Sequence, residues 1–426
     1  MDQNLFQRIR PLLLTLLLDL AGFSLVFPLF AELLRHYGQD QAGLMQWLRE
    51  GSEAAFGVSD PARQAAFFGG LLAAVYSLLQ FVVTPWWGRL SDRVGRRRVL
   101  LSTVGLSCVG YALWVVAGRF ELFLLSRMLC GTAAANISVA SAAIADCTRR
   151  EERSRGMGMM GAAIGMGFLL GPAIGGASVL LPAPAMGEGW FALNPFSYPA
   201  AIALGLSLLN LVMLQRSFKE SLTHELRSAA QVRSANPFLL FSAKLGVGIA
   251  RINVVWLVLM AAFAGFESTL VFLLSDRLQW GRGMSALCMV WLGICSVSIQ
   301  GGVVRRLVPR LGEKRLAGVG MALLIPGNIL TALVDITGNP LFLWVGISMI
   351  ACGIGFLSPT LTALVSLRAP EHAQGLALGT FRSVGALGRA LGPFMAAWLY
   401  FTMGAAAPYA FAAVLLVLPV WVLRRV

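Results

Sequence analysis

Twelve apolar runs, each about as long as a bilayer is thick, leave this chain of 426 residues very few ways to fold. They cover residues 11–34, 65–87, 99–117, 121–145, 156–182, 195–215, 252–274, 283–304, 316–335, 340–366, 375–399 and 405–423. Crossing the hydrocarbon layer takes about 20 apolar residues in a helix. The runs lack the alternation of barrel strands, so helices are expected, because a helix satisfies its own backbone in lipid. Composition agrees: 57% of residues are apolar, 13% are charged and mean hydropathy is +0.74, too much apolar surface for a water-soluble chain. The first run is too long for a signal-peptide core and no cleavage context follows it, so it reads as retained.

A net charge of +14 raises the question of nucleic acid, and its placement answers it. Of 34 Lys and Arg residues, 25 fall in the termini and the even-numbered connections. That asymmetry is the positive-inside pattern and puts both termini in the cytoplasm, as in a multi-pass protein of the plasma membrane. A nucleic-acid surface is excluded, since no compact basic module interleaved with aromatics exists. Cys108, Cys130, Cys147, Cys288, Cys295 and Cys352 are scattered without metal-ligand spacing and read as small packing residues. His36, His224 and His372 fall in connections and form no cluster. With no nucleotide-binding loop, no nucleophile beside a base and no appended soluble domain, neither an enzyme nor a cofactor or metal is expected.

The chain also reads as a duplication. A polar linker at 216–250 divides an N-terminal six-helix bundle, 1–215, from a C-terminal one, 251–426. Arg93, Gly95, Arg97 and Arg98 after span two recur as Arg310, Gly312, Lys314 and Arg315 after span eight, an offset of 217. Gly171 and Pro172 recur as Gly392 and Pro393, an offset of 221. Ala21, Gly22 and Phe23 match Ala264, Gly265 and Phe266, an offset of 243. Two similar bundles side by side are expected.

The connection at 88–98, GRLSDRVGRRR, is a dense cationic hairpin. Gly88 and Gly95 allow a tight connection, and Asp92 is its only anion. An aspartate there can sit at the positive end of a neighbouring helix and accept charge-assisted hydrogen bonds. The copy after span eight has Pro309 where Asp92 would fall, so it is not expected to form the same contact. In span five, Gly167, Gly171 and Gly175 recur every four residues, with Gly161 and Gly165 one face away and Pro172 breaking the ladder. Such spacing lets another helix approach closely and permits a kink.

Ionisable residues inside the spans are few, and each costs about 2.5–3.5 kcal/mol on insertion scales. Asp19 lies on the order of 12 Å from the cytoplasmic edge of span one. Arg127 is in span four, Glu267 in the middle of span seven, and Arg382 and Arg389 two turns apart on one face of span eleven.

GRLSDRVGRRR, Arg127 with Gly131 in span four, and GFLLGPAIGG in span five together resemble the signature of the major facilitator superfamily, in its drug–proton antiporter branch. LLLDLAGFSLVFPLF, FFGGLLAAVYSLLQF and RSVGALGRALGP are closer to its tetracycline-transporter-like, TETRAN-like members. The resemblance covers nearly the whole chain. It implies an all-α fold of 12 transmembrane helices in two pseudo-symmetric six-helix bundles. It also implies a cytoplasmic latch built from Gly88, Asp92, Arg93, Gly95 and Arg96, and an interface between bundles at Gly167, Gly171, Pro172 and Gly175. Spans one, four, seven and ten would line a central cavity.

On that basis Asp19 is expected to carry protons, with Arg127 as its cationic partner and Glu32 as a rival partner for Arg127. Glu267 would pair with Arg382, and Glu267 aligns with Ser24 rather than Asp19 in the repeat. Arg382 and Arg389 would attract anions, the alternative being snorkelling and salt bridging between bundles. Phe23, Tyr76, Gln80 and Asn136 are softer cavity candidates. Related proteins carry a basic residue two positions before Asn136, where this chain has Ala134. The outer connection from Arg35 to Gln64, with Trp47, Leu48 and Phe56, reads as an interfacial amphipathic helix.

The expected function is proton-coupled secondary transport, an antiporter exporting amphiphilic organic compounds, drugs or organic anions, by alternating access. Its partners would be protons, a small amphiphile and membrane lipid, and it would work as a monomer. A lipid or lysolipid flippase of the same fold is the alternative; a multipass sensor or enzyme has no motif behind it.

Overall fold

The computed structural model describes residues 3–26, 29, 33, 36–38, 44–47, 50, 61–149, 152–178, 187, 189–222, 247–280, 282–370 and 373–425. Glu32, Leu48, Phe56, His224, His372, most of the linker and the side chain of Pro172 lie outside them. Within them every apolar run is a helix. In chain order these are α1 (Gln3–Ser24), α2 (Pro61–Val94), α3 (Arg96–Val115), α4 (Phe120–Ala133 and Asn136–Cys147) and α5 (Arg153–Ser178). Then come α6 (Ser197–Ser217), α7 (Val247–Leu278), α8 (Arg282–Ser298, Ile299–Val303 and Val304–Leu311) and α9 (Glu313–Thr337). The last are α10 (Pro340–Arg368), α11 (Gln374–Met403) and α12 (Ala407–Leu415 and Val417–Arg424).

Nine of the described helices are apolar and long enough to cross a membrane by those two measures alone. The other three, α1, α2 and α11, each carry ionisable residues and are packed as members of the bundles. Pro340 opens α10, where Asn339 Oδ1 accepts the Leu341 amide at 2.9 Å. The middle of α8 is a π-turn at Ile299–Val303.

The first six helices form one bundle and the last six another, related by a repeat in the packing itself. In the first, α1 packs on α5 and α6, and α3 on α4 and α6. In the second, α7 packs on α11 and α12, and α9 on α10 and α12. A Cβ on Gly167 would lie 2.8 Å from Leu17 O and 3.2 Å from Ala21 N; one on Gly388 would lie 2.6 Å from Leu257 O and 2.9 Å from Ala261 N. Gly171 meets Ala21 O and Leu25 N in the way Gly392 meets Ala261 O and Gly265 N. These contacts set the offset between α1 and α7 at 240, not the 243 of the short Ala-Gly-Phe match. Backbone approach through glycine, rather than three identical letters, fixes the register.

The same contacts correct the reading of α5. Gly167, Gly171 and Gly175 press on α1 within the first bundle, not on the second bundle. The face toward the second bundle is one turn nearer the basic end. A Cβ on Gly165 would lie 2.7 Å from Val297 Cγ2, and one on Gly161 would collide with Gln300 Oε1.

Each bundle has its own apolar core, and the two cores exchange members: Ala142 of α4 lies in the second core and Ala363 of α10 in the first. Further links join α2 to α11. Gly379 faces Gly88 and Thr84 O, and the Ser383 hydroxyl donates to Phe81 O. These links lie toward the end of the molecule where the arginine-rich hairpins gather.

The glycine register gives a test. Gly171→Ala puts a methyl against Ser24 Oγ and Ala21 O, an overpacking that costs roughly 1–3 kcal/mol. Gly105→Ala meets nothing within 4 Å. Thermal melts of the purified protein should show a lowered Tm for the first and an unchanged or raised Tm for the second; equal melting would contradict the register.

Candidate functional site

The polar centre is organised by the break in α4. Gly131 lets α2 come close, since a Cβ there would lie 3.1 Å from Tyr76 O and 3.3 Å from Leu79 Cβ. Just beyond, the regular ladder fails: Ala134 N donates back to Gly131 O and Ala135 N to Ala133 O at 2.7 Å. Gln80 Nε2 of α2 donates to the Ala134 carbonyl at 2.9 Å. The helix restarts at Asn136, whose Nδ2 donates to Asp19 Oδ1 of α1 at 2.9 Å and whose Oδ1 accepts the Thr103 hydroxyl of α3. A relay Thr103–Asn136–Asp19 thus runs across three helices, with Thr103 and Asn136 fully buried. Ala134 contributes its backbone oxygen to this site.

Around this relay Phe23 packs on Tyr76 with ring centres 4.6 Å apart and planes tilted by 33°, and meets Phe168 edge-on at 6.0 Å. Tyr76 lies within electrostatic reach of Asp19, Arg127 and Arg389.

Arg127 does not pair with Asp19; no ion pair joins them within 4.0 Å. Arg127 stands nine residues before Asn136, about 13 Å along a helix, and it is Asn136 that reaches the carboxylate. The Arg127 guanidinium lies 4.6 Å from the ring centre of Trp114, 5.5 Å from Tyr111 and 5.7 Å from Phe123. Its charge is answered by ring faces. Its Nη2 makes long contacts with Ser126 Oγ at 3.5 Å and Cys130 Sγ at 3.7 Å, and its Nε has no acceptor.

The second bundle also departs from the expected pairing. The α7–α11 register sets Trp256 beside Gly385 and Ala261 beside Gly392. Glu267 therefore stands about two turns beyond Arg389 and about four beyond Arg382. Accordingly Glu267 is in electrostatic reach of Arg389, and no ion pair with Arg382 forms. Arg382 lies 5.9 Å from the Trp256 ring and 5.7 Å from Phe381, and its Nη2 touches Thr362 Oγ1 at 3.4 Å. Arg389 crosses to the first bundle, where its Nη2 donates to Gln80 Oε1 at 2.5 Å.

At the basic end, Arg96 is fully buried and bridges two carboxylates, Asp92 Oδ1 at 2.6 Å and Asp146 Oδ2 at 2.9 Å. Ser91 Oγ accepts from the same guanidinium at 2.7 Å. The other oxygen of Asp92 accepts the Leu376 amide at 3.0 Å, in the first turn of α11. Asp92 thus ties the first bundle to the positive end of a helix of the second. Gly95, at φ 106°, makes the turn that allows it; Gly312, at φ 76°, makes the equivalent turn in the copy. There, Pro309 and Glu313 replace Asp92 and Arg96. Arg93 is exposed and takes no part in the buried cluster.

Sequence reasoning missed Asp146, Glu220 and Gln300. Asp146 is the only acidic residue at the basic end of span four, which was the available signal. Glu220 caps α3, accepting the amides of Arg96 at 2.9 Å and Arg97 at 3.2 Å. Gln300 sits in the π-turn of α8, and only the fold shows it against Gly161.

Comparison with known proteins agrees with this architecture. The Major Facilitator Superfamily profile matches residues 12–393. The chain is 32% identical to the bovine (Bos taurus) Major facilitator superfamily domain-containing protein 10 over 96% of this chain and 91% of the relative. It is 30% identical to the class E tetracycline resistance protein of Escherichia coli over 78% of each chain. The crystal structure of the human organic anion transporter MFSD10 (TETRAN) superposes with a TM-score of 0.86 at 28% identity, covering 99% of this chain and 100% of that one. Matched along nearly its whole length, and built as two pseudo-symmetric six-helix bundles, the chain belongs to the Major Facilitator Superfamily of membrane transporters.

Proposed function

We propose that the protein is a proton-coupled antiporter that exports amphiphilic organic anions by alternating access. The observation that carries this reading is Asp19: a carboxyl group inside a spanning helix, held by one amide donor and facing no cation within 4.0 Å. A bare carboxylate at such depth costs several kcal/mol, and a bound proton removes that cost. Asp19 is thus suited to change charge during the cycle, with Asn136 and Thr103 orienting it and Arg127 as a fixed positive field in the same bundle. Glu267 beside Arg389 is a second carboxyl group in the centre.

Cargo is assigned by the cations. Arg382 and Arg389 lie on one face of α11, and the first has two ring neighbours and a 3.4 Å contact to a hydroxyl but an Nε with no acceptor. An anionic headgroup would satisfy both, with Phe23, Tyr76, Gln80 and Asn136 lining its apolar part. Tetracycline resistance proteins and a human organic anion transporter among the similar chains support an exporter of such compounds. In this reading the arginine-rich end faces the cytoplasm, both termini with it, in the plasma membrane. The bundles 1–215 and 251–426 move about the linker 216–250. The contact of Asp92 with the α11 N-terminus, backed by Arg96 and Asp146, latches the cytoplasmic side in one state. The protein works as a monomer in contact with lipid, and catalyses no covalent chemistry. Uncoupled lipid flipping would not need a protonatable Asp19.

Two expectations follow for reconstituted protein. Asp19→Asn should lose uptake driven by a pH gradient by about tenfold or more while still binding cargo, a loss equivalent to at least about 1.4 kcal/mol of coupling; undiminished pH-driven uptake would refute the assignment. Arg382→Ala should weaken transport of 1-pyrenesulfonate far more than that of the matched cation 1-pyrenemethyltrimethylammonium. An equal loss for both would remove the anion site.

A further inference from the structure

Gln80 touches both the α4 break and the Arg389 cation of the opposite bundle. Its amide nitrogen is fixed by the Ala134 carbonyl at 2.9 Å, so its oxygen can only point at Arg389, which it meets at 2.5 Å. The residue is buried at 4% exposure, and its two bonds join α4, α2 and α11 in series. The same guanidinium is within electrostatic reach of Glu267 and Tyr76, has Met260 Sδ at 3.9 Å, and has Arg382 two turns toward the basic end of its helix.

A neutral amide oxygen is a weaker acceptor for guanidinium than an anionic oxygen, which can also bind in bidentate fashion. We propose that Gln80 is a positioning residue that holds Arg389 until an anionic headgroup replaces it, so that cargo binding itself cuts the polar link between α2 and α11. The chemistry recognised is a carboxylate or sulfonate on an apolar body. This rests on the reading of Arg389 as part of an anion site. Once Gln80 is displaced, other ties between the two helices persist, among them the Ser383 bond to Phe81 O, the Gly379–Gly88 approach, the Asp92 bond to Leu376 and the packing of Phe81 on Val384 and Ala386. The three polar and backbone ties lie further toward the basic end, so the polar link lost on cargo binding is the one nearest the membrane centre. Glutamine suits the role because glutamate at the same place would form an ion pair that cargo could not displace.

The test uses purified full-length protein, fluorescence titration with 1-pyrenesulfonate and its matched cation, and hydrogen exchange of the segment 374–384. In the unmodified protein, 1-pyrenesulfonate should bind and raise exchange in that segment. Gln80→Ala should bind the anion about tenfold tighter, with exchange raised before ligand is added. Gln80→Glu, nearly isosteric, should bind the anion at least about tenfold more weakly and keep exchange low with ligand present. The matched cation should not follow the anion, its affinity neither rising in Gln80→Ala nor falling in Gln80→Glu, which a merely structural role would not give. Anion affinity unchanged in both Gln80 variants, with Arg389→Ala abolishing binding, would overturn this inference alone. Arg389→Ala binding 1-pyrenesulfonate as well as the unmodified protein would overturn it together with the anion site.

Discussion

A bilayer offers no water to a polar group, and the surroundings of Arg96, Arg127, Arg389 and Asp19 answer that constraint. Each is matched by a different device. Arg96 is neutralised by two carboxylates and a hydroxyl. Arg127 is wrapped by three aromatic rings. Arg389 is passed to an amide that is itself anchored on a freed backbone carbonyl. Asp19 has one amide and no cation, and is the carboxyl group for which a proton is the natural complement. The break in α4 serves two of these, since it frees the carbonyl for Gln80 and turns Asn136 toward Asp19.

The duplication builds a frame and then departs from it where chemistry is proposed. Gly167 and Gly171 on α1 find their counterparts in Gly388 and Gly392 on α7, and Gly95 and Gly312 make the same turn. The frame is therefore symmetric to the level of single backbone contacts. The ionisable groups are not: Pro309 and Glu313 stand where Asp92 and Arg96 do in the first copy, and Arg382 takes the place of Gly161 at the offset of 221. Asp92 of the first hairpin caps a helix of the other bundle, and Pro309 stands at the matching position of the copy. In an alternating-access cycle, such asymmetry would let the two sides of the interface open in a fixed order.

The spans were legible because length and apolar content alone decide them, and the observed helices begin and end within a turn or two of most runs. The hairpin was legible only in part: α2 continues through Gly88 and Asp92 to Val94, so Gly95 alone makes the turn, while the isolated Asp does reach a helix N-terminus. The partners of Asp19 and Glu267 were not. Matching opposite charges along the chain suggested Arg127 and Arg382, whereas helix register brings Asn136 to Asp19 and Arg389 nearest to Glu267. Alanines at 133–135 carry no sign of a break, because its cause, the approach of α2 at Gly131, is tertiary. The glycines of α5 announced a close contact without naming the helix on the other side. A three-residue match similarly misplaced the α1–α7 repeat by three positions, which backbone contacts corrected.

The central claim, that anion export is exchanged for protons, is tested most directly by the lumen pH of sealed proteoliposomes holding the unmodified protein and a pH-sensitive dye. An outward gradient of 1-pyrenesulfonate is imposed, an anion whose sulfonate stays ionised and cannot itself ferry protons. Antiport should acidify the lumen, saturably and only when the protein is present. Protein-dependent loss of 1-pyrenesulfonate with no change in lumen pH would contradict it.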